Sequence, residues 1–504
     1  MTTDTAPPPL AAATQDRTDP PAPPSGDSGK WLSLVVLAMA QLMVVLDATI
    51  VNIALPTAQR DLGFSDSGRQ WVVTGYALAF GSLLLLGGRL SDFVGRRRMF
   101  LIGLIGFAVA SALGGFAPNL EMLIVARALQ GAFGAALAPA ALSLLSTTFT
   151  TPRDRAKAFG VFGAISGAGG AVGLLLGGVL TEYASWRWCL YVNLIIAAIA
   201  VAGALTRLKD DPITSRAKID VPGVITAVAG LVGLVYGLGK VETDGWHSAA
   251  ALTPMILGAV VLVAFVLIEM RVANPLLPMR VVLDRNRGGA YAAIGIAGAG
   301  MFGIFLFLTY YLVNVLHFTP IRTGVGFLPL LAGIMLSATT AGSILVPRVG
   351  PRPLVPLGAL VAAGGMAYLT RLDLHSTYAG GVLPGLIIIG LGLGLVFAPV
   401  QNAATSGVEH RDAGVASAMI NTVQQIGGSI GTALLSSFAA SAGEHYAKNH
   451  APTASLAAEA ALHSYHTVFW WSVGFFLLAA AIGAFVFRSG PLAVDPDAPE
   501  AMAH

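Results

Sequence analysis

The 504-residue chain contains few charged residues and almost no cysteine. Asp, Glu, Lys and Arg make up 11% of the sequence, whereas soluble domains contain about 25%. Hydrophobic residues make up 55%, so the polar residues are too few to cover a water-soluble globule. The single cysteine, Cys189, excludes an intrachain disulfide. The sequence also lacks a nucleophile elbow, a zinc-protease motif and a phosphate-binding loop, which argues against a hydrolase or an ATP-driven pump.

Apolar runs of about twenty residues recur along the chain between short charged connectors. A helix rises ~1.5 Å per residue, so one such run spans the ~30 Å hydrocarbon core of a bilayer. The runs are continuous and not alternating, which favours helices over the strands of a membrane barrel. We therefore predict an all-α polytopic membrane protein with fourteen transmembrane helices. The predicted spans are 31–53, 70–90, 100–117, 121–146, 157–181, 187–206, 220–240, 251–271, 288–314, 323–346, 353–371, 379–401, 413–438 and 467–487.

The basic residues predict how the chain is threaded through the membrane. Most of the 29 Lys and Arg residues fall on the side that also holds the N-terminus, and cytoplasmic loops carry such an excess. We expect a multi-pass protein of a bacterial-type inner (plasma) membrane with both termini in the cytoplasm. Because the basic residues are divided among short loops, they form no footprint for nucleic acid.

Internal echoes in the sequence predict two related halves. "RDRAKAFGVFGAISG" from Arg153 resembles "RDAGVASAMINTVQQIGG" from Arg411, and "GRLSDFVGRRR" is echoed by "SILVPRVGPR", which places Arg352 opposite Arg97. The predicted layout is a disordered cytoplasmic tail at 1–30 without the features of a signal peptide, an N-terminal six-helix half at 31–206, a cytoplasmic linker at 207–219, two inserted helices at 220–271, a second linker at 272–287, a C-terminal six-helix half at 288–488 with an extracellular loop at 439–466, and a cytoplasmic tail at 489–504.

Two charged residues lie deep inside predicted spans. Asp47 lies more than ten residues into the first span, where a carboxylate costs ~2.5–3.5 kcal/mol on insertion scales. We interpret it as a group that exchanges protons or pairs with a cationic substrate; alternatively it lies near the outer interface and orients the helix together with Asn52. Arg127 must face a polar interior, with Gln130 one turn away. It either tunes Asp47 or neutralises a carboxylate that approaches it; alternatively it is a structural counter-ion for Glu121 or for backbone carbonyls.

The connector after the second span combines two glycines, one aspartate and several arginines. Gly88 and Gly95 permit a tight turn, and Asp92 is the negative charge beside Arg96 and Arg97. We predict that Asp92 is a gate latch that caps a helix start, or clasps an arginine in one conformation and releases it in another. The alternative is that the connector is a plain basic anchor.

The fifth span and the second half contain the remaining candidates. Glycines four residues apart in the fifth span allow close helix packing, either as a static contact or as a sliding hinge: Gly163, Gly167, Gly173, Gly177 and Gly178. Carboxylates within the spans are nearly absent from the second half, with Glu269 close to the cytoplasmic end of span 8. The polar residues there are amides that either line a cavity or join helices: Asn314, Gln401, Asn402, Asn421, Gln424 and Gln425. The four histidines of the outer loop lack metal-ligand spacing, so no metal site is predicted.

The chain resembles the major facilitator superfamily, and in particular its fourteen-span drug:proton antiporter branch of the EmrB/QacA type. "LDATIVNIALP" is similar to the first-span motif of that branch, "GRLSDFVGRRR" to the signature loop after span 2, and "RALQGAFGAA" to the fourth-span motif around Arg127. The resemblance covers residues from Trp31 to about Arg488.

The resemblance implies a rocker-switch transporter, not an enzyme, which expels hydrophobic and often cationic compounds in exchange for protons. It implies no cofactor, a lipid bilayer, a small molecule and protons as partners, and it is compatible with a monomer. It also implies that Asp92 engages the start of span 13, near residues 412–415. The branch usually has Gly-Pro in span 5, whereas Leu174 follows Gly173 here. A proton-coupled nutrient symporter therefore stays open as an alternative, as does a non-transporting scaffold or sensor.

Overall fold

The computed structural model describes residues 27–149, 151–208, 220–272, 275–406, 408, 413–488 and 490. Within these ranges the chain forms helices and no β-strand. The long helices are α1 Asp27–Leu62, α2 Asp66–Val94, α3 Arg96–Gly115, α4 Leu120–Thr148, α5 Pro152–Tyr183, α6 Trp188–Arg207, α7 Val221–Asp244, α8 Ala249–Glu269, α9 Arg285–Asn314, α10 Pro320–Val349, α11 Pro351–Leu369, α12 Tyr378–Thr405, α13 Ala413–Asn449 and α14 Leu456–Val486.

Eleven of these helices are long and apolar enough to cross a membrane, counted over the described part of the chain. The prediction of an all-helical multi-pass membrane protein is therefore confirmed. The other three, α2, α5 and α13, contain 29, 32 and 37 residues and fall outside that set. Each of the three includes side chains outside the described part of the chain, on which this count rests. All three pack at the contact between the two halves described below. The count of fourteen spans stays a prediction.

The first six and the last six of these helices pack in the same pattern. In the N-terminal half α1 contacts α4, α5 and α6, α4 contacts α2 and α3, and α3 contacts α6. In the C-terminal half α9 contacts α12, α13 and α14, α12 contacts α10 and α11, and α11 contacts α14. Each helix thus has a counterpart eight places later. The two halves are structural repeats of one packing scheme.

The connector between the second and third helix of each half repeats in detail. Gly95 has φ +96° and Gly350 has φ +72°, so both turns use a backbone conformation that glycine adopts at little cost. The arginine that follows each turn reaches the end of the last helix of its half. Arg97 Nη2 donates to Leu205 O at 2.9 Å, and Arg352 Nε donates to an α14 carbonyl at 3.3 Å. The pairing of Arg97 with Arg352 inferred from the sequence echo agrees with this geometry.

The two halves meet through α2 against α13 and through α5 against α10. We call the end of the bundle that holds the α1–α2, α5–α6 and α9–α10 connections the outer end. There Ile321 N donates to Glu182 Oε2 at 3.1 Å, and a Cβ on Gly178 would lie 2.7 Å from Ile321 Cα. The Arg69 guanidinium lies 3.5 Å from the centre of the Tyr310 ring in the other half. The outer end is therefore closed.

The inserted helices α7 and α8 form a hairpin on the outside of this contact. α7 packs against α2 and α13, and α8 packs on α7. Their backbones approach closely, since a Cβ on Gly258 would lie 2.5 Å from Leu234 N. The other face of α8 exposes a row of apolar side chains, Ile256, Leu257, Val260 and Val263. In a bilayer this face meets lipid.

Several predicted boundaries require correction. The outer loop predicted at 439–466 is largely helical, because α13 continues to Asn449 and α14 begins at Leu456. Polar contacts hold this extension together: the Tyr446 hydroxyl donates to Glu459 Oε2 at 3.3 Å, and hydropathy does not detect such a helix. His466, one of the four histidines of this loop, lies half-buried, with its Nε2 at 2.6 Å from Leu372 O.

The ends of the first predicted segments also shift. The tail predicted at 1–30 ends earlier, since α1 begins at Asp27 and Lys30 Nζ donates to Asp154 Oδ2 at 2.9 Å. Residues 209–219 of the first linker lie outside the described residues. The second linker contains a short helical turn, Met279–Val282. Polar first turns extend these helices beyond the apolar runs from which the boundaries were predicted.

Candidate functional site

Asp47 lies fully buried in the interior of the N-terminal half. Its Oδ2 accepts from Arg127 Nη1 at 2.5 Å. Its Oδ1 accepts from Gln130 Nε2 at 2.8 Å and from Asn193 Nδ2 at 2.7 Å. All three neighbours present N–H donors, which is the arrangement that a deprotonated carboxylate accepts.

Arg127 is held from several sides and is 2% exposed. Besides Asp47, its Nη1 donates to Gln130 Oε1 at 2.8 Å, and its Nε donates to Val72 O at 3.3 Å. The guanidinium also lies 4.3 Å from the centre of the Tyr76 ring, which adds a cation–π contact. Because arginine cannot lose its proton in a protein, this buried charge requires Asp47 or another anion as its partner.

Ser111 and Asn193 extend the site to α3 and α6. Ser111 Oγ accepts from Gln130 Nε2 at 2.7 Å and from Asn193 Nδ2 at 3.3 Å, and both Ser111 and Asn193 are fully buried. Sequence reasoning did not select these two residues or Tyr76. Asn193 could have been noticed as the one amide in the apolar segment "WRWCLYVNL". Ser111 could not, because serine is common in membrane helices.

The alternatives left open for Asp47 and Arg127 can be compared with this geometry. Asn52 Nδ2 donates to Ala48 O at 3.2 Å within its own helix, so Asn52 does not share the Asp47 carboxylate. Glu121 is exposed at the start of α4. The counter-ion of Arg127 in this conformation is Asp47. The charged network therefore lies in the interior of the half and not at the outer interface.

A small cavity adjoins the guanidinium on the outer side of the network. Its walls are apolar apart from Arg127 itself, and a void of this kind does not retain water because it offers too few polar partners. Its lining residues are Val51, Ala54, Leu55, Ala58, Val72, Leu123, Arg127, Trp186, Cys189 and Leu190. The ion pair is thus shielded from water in this conformation.

Glycine contacts identify the equivalent positions in the C-terminal half. A Cβ on Gly131 of α4 would collide with the carbonyl of Tyr76 in α2. A Cβ on Gly390 of α12 would collide in the same way with the carbonyl of Leu330 in α10. Since α4 and α12 are counterparts and α2 and α10 are counterparts, Gly131 and Gly390 occupy equivalent places.

The C-terminal half lacks the charged network at these places. Arg127 lies four residues before Gly131, and Leu386 lies four residues before Gly390. Gln130 corresponds in the same way to Ile389, and Leu386 and Ile389 are both fully buried. The same packing scheme therefore holds an ion pair in one half and aliphatic side chains in the other. Among the described residues, a buried ion pair at this level of the bundle is found in the N-terminal half and not in the C-terminal half.

The predicted hinge glycines join α5 to two neighbours. A Cβ on Gly173 would collide with Thr49 Oγ1, and a Cβ on Gly177 would lie 2.9 Å from Ile50 Cγ1, so both glycines bring α5 close to α1. Gly178 instead faces α10 at the outer end. Gly163 and Gly167 belong to the inner part of α5, and their surroundings lie outside the described residues. Sliding at these contacts stays a prediction.

The gating connector is described only in part. A Cβ on Gly88 would lie 3.7 Å from Pro139 Cβ, which is ordinary contact between α2 and α4. Gly95 forms the turn, and Arg96 and Arg97 begin α3. The Asp92 side chain, residue 412 and the side chains of residues 413–415, the predicted partner, lie outside what the structure describes, so the latch stays a prediction.

The amides of the C-terminal half occupy different environments. Gln401, Asn402 and Asn421 are exposed near the inner end of α12 and α13. Gln424 and Gln425 are half-buried. A Cβ on Gly81 of α2 would lie 3.1 Å from the Cβ of Gln425, so Gln425 belongs to the contact between the halves. Asn314 is exposed at the end of α9, away from the inner amides. They do not form one cluster.

Comparison with known proteins identifies the family. Residues 37–432 match the model of the Major Facilitator Superfamily. The chain belongs to this superfamily. Puromycin resistance protein pur8 of Streptomyces alboniger is 48% identical over 471 residues, which is 93% of this chain and 93% of that protein. Cephamycin export protein CmcT of Amycolatopsis lactamdurans is 39% identical over 411 residues, covering 80% and 84%. Lincomycin resistance protein of Streptomyces lincolnensis is 34% identical, covering 80% and 83%.

Solved structures agree on the superfamily fold. A bacterial homologue of the human lysosomal transporter Spinster, in an inward-facing and unoccupied conformation, superposes with a TM-score of 0.65 at 16% identity, covering 91% of this chain and 97% of that one. Peptide transporter POT in complex with sulfate gives 0.61 at 16% identity, covering 89% and 94%. The chain is a superfamily transporter and not an enzyme, as the sequence predicted. Its assignment to the fourteen-span branch stays a prediction.

Proposed function

We propose that this transporter exports a small molecule of the antibiotic or secondary-metabolite class across the plasma membrane in exchange for protons. The names of its relatives, which are resistance and export proteins, support export of such a compound. The observation that carries the coupling proposal is the buried pair of Asp47 and Arg127, a titratable acid held against a permanent cation. The proton gradient then drives transport without a cofactor. Both termini face the cytoplasm, as the basic residues predict.

The network supplies two alternative arrangements of the same charges. With the outer end closed, Asp47 is a carboxylate that accepts from Arg127, Gln130 and Asn193. When that end opens, water and protons reach the pair, and a proton on Asp47 removes the charge that holds Arg127. The helices α1 and α4 then lose their strongest mutual contact and can repack. Release of the proton on the inner side restores the ion pair.

Substrate is expected to contact the C-terminal half, where the exposed amides offer donors and acceptors without a charge. Gln401, Asn402 and Asn421 are exposed near the inner end. Such groups bind varied ligands, and they leave proton binding to the other half. If one half binds protons and the other binds substrate, only one half needs the ion pair.

The proposal is tested with the full chain in proteoliposomes under an imposed pH gradient. Puromycin and lincomycin are the first compounds, chosen from the names of the relatives. We expect substrate to move opposite to the protons and transport to stop when the gradient is dissipated. Movement of substrate in the same direction as protons would identify a symporter. No movement of any compound and no proton flux would favour a scaffold or sensor.

A matched pair of variants separates coupling from folding. The double variant Asp47→Asn/Arg127→Gln replaces the buried ion pair by two amides that can bond each other. The control is Asp61→Asn/Arg187→Gln, because Asp61 and Arg187 also form an ion pair between α1 and the start of α6, but a partly exposed one. We expect the first variant to lose proton-driven transport and the control to keep it. Equal transport by both variants would reject the buried pair as the coupling site.

A further inference from the structure

Two carboxyl groups lie together at the inner end of the inserted helices, remote in the chain from Asp47. Asp220 immediately precedes α7, and Glu269 is the last residue of α8. Their exposed fractions are 5% and 2%. A buried carboxylate normally needs a cation or several donors, so this pair requires an explanation.

Among the described residues, each carboxyl group has one oxygen that accepts a hydrogen bond and one oxygen without a hydrogen-bond partner. Asp220 Oδ1 accepts from Gly223 N at 2.9 Å, and Glu269 Oε2 accepts from Leu277 N at 2.9 Å. Asp220 Oδ2 and Glu269 Oε1 are buried without a hydrogen-bond partner among the described residues. A Cβ on Gly223 would lie 2.5 Å from Oδ2 and 2.6 Å from Oε1. The two oxygens therefore face one point, which the missing side chain of Gly223 leaves open.

The charges around this point do not balance if both groups are ionised. The charged groups that act on Glu269 are Asp220 from the start of α7 and Arg89 from α2. Arg89 contributes one positive charge, and its Nη2 donates to the carbonyl of Pro275 at 2.6 Å. Among the described residues, two facing carboxylates and one guanidinium leave one negative charge uncompensated in a buried place. A single proton cancels that charge and gives the two open oxygens a donor.

We propose that Asp220 and Glu269 bind one proton between them, as a second proton site of this transporter built from the inserted helices. The proton sits on one of the facing oxygens, and its O–H donates to the other. No covalent bond other than this O–H bond changes when the proton enters or leaves. This site does not depend on Asp47, and it exists whether or not transport is driven by protons.

The site is connected to α2 through a short stretch of backbone. Leu277 N–H bonds Glu269, and two residues earlier the carbonyl of Pro275 bonds Arg89. Arg89 belongs to the "GRLSDFVGRRR" connector. Loss of the proton leaves two carboxylates facing each other, and their repulsion loosens α7 from α8 and the 275–277 backbone from α2. Occupancy by the proton therefore holds the inserted hairpin to the connector.

Infrared difference spectroscopy of the purified full chain in nanodiscs tests the proposal, with buffer protons as the probe. We expect the carbonyl band of a protonated carboxyl group at neutral pH, and its loss in Glu269→Gln and in Asp220→Asn. The controls Glu121→Gln, at an exposed position, and Asp47→Asn/Arg127→Gln keep the band. Wild-type protein without the band, or a band that survives in both single variants, overturns the proposal.

Thermal unfolding against pH gives a second and independent readout. If the folded chain holds a proton that the unfolded chain releases, stability falls as pH rises toward neutral, with a slope of about one proton. Asp220→Asn keeps a good N-cap for α7 and is expected to reduce this slope by about one proton. Gly223→Ala, which places a methyl group at the facing oxygens, has the same effect. Gly474→Ala, in open space, keeps the wild-type slope. An unchanged slope in the Asp220 and Gly223 variants overturns the proposal.

Discussion

The energy of the buried ion pair can be measured directly. In Asp47→Asn the Arg127 guanidinium stays 2% exposed and keeps only neutral acceptors, Gln130 Oε1 at 2.8 Å and Val72 O at 3.3 Å. Removing one partner of a buried pair leaves an uncompensated charge and costs about 3–5 kcal/mol. We expect Asp47→Asn to lower the free energy of unfolding by that amount. Arg127→Gln is expected to cost a similar amount, because it leaves the carboxylate with amide donors alone.

The double variant Asp47→Asn/Arg127→Gln is expected to lose less stability than either single variant. It leaves no buried charge, and the two amides can satisfy each other and the Gln130 and Asn193 side chains. The C-terminal half supports this expectation, since Leu386 fills the place equivalent to Arg127 within the same packing scheme. An uncharged version of this layer is compatible with the fold.

The assay is thermal unfolding in detergent, followed by the fluorescence of the seven tryptophans of the chain. The four proteins of the double-mutant cycle are measured at one pH and one salt concentration. If the stability losses of the two single variants simply add in the double variant, Asp47 and Arg127 do not interact in the folded protein. The description of the site would then be refuted, whatever the transport data show.

Three further predictions concern the closed outer end and the amide network. Gly324→Ala should push α10 away from α5, because the added Cβ would collide with a carbonyl of α5. This variant should therefore raise the labelling rate of cysteines placed at the outer end. The control Gly364→Ala adds its methyl group in open space and should leave that rate unchanged. Arg69→Gln should lose about 0.5–2 kcal/mol of stability with the Tyr310 contact. In a double-mutant cycle, Arg69→Gln should cost less stability in the Tyr310→Leu background than in the wild-type protein. Asn193→Leu should slow proton-driven transport more than it lowers expression, since it removes a donor to the coupling carboxylate; unchanged transport would exclude that role.

The sequence located part of the site because some of its residues are anomalous in their own helices. Asp47 and Arg127 are charges inside apolar runs, and Gln130 follows Arg127 by one turn, so all three could be selected without a structure. Ser111 and Asn193 could not, because small polar side chains are common in membrane helices and become informative only when a carboxylate lies within hydrogen-bond distance.

In the outer loop, the sequence pattern missed a helical segment that the structure contains. Hydropathy ended the predicted span at 438, but α13 continues to Asn449 because its final turns are stabilised by polar contacts outside the apolar run. Hydropathy measures the cost of transfer into lipid. It carries no information on whether a polar segment is helical.

The sequence by itself determined that this is a helical membrane protein with two related halves. Hydrophobicity, run length and repeated motifs are properties of neighbouring residues, so they can be read along the chain. The tertiary structure decided which charges meet. Asp47 and Arg127 are 80 residues apart, and Asp220 precedes α7 whereas Glu269 ends α8. Their proximity depends on how closely segments of the chain pack together at glycines such as Gly223. A single segment of sequence does not show which other segment packs against it.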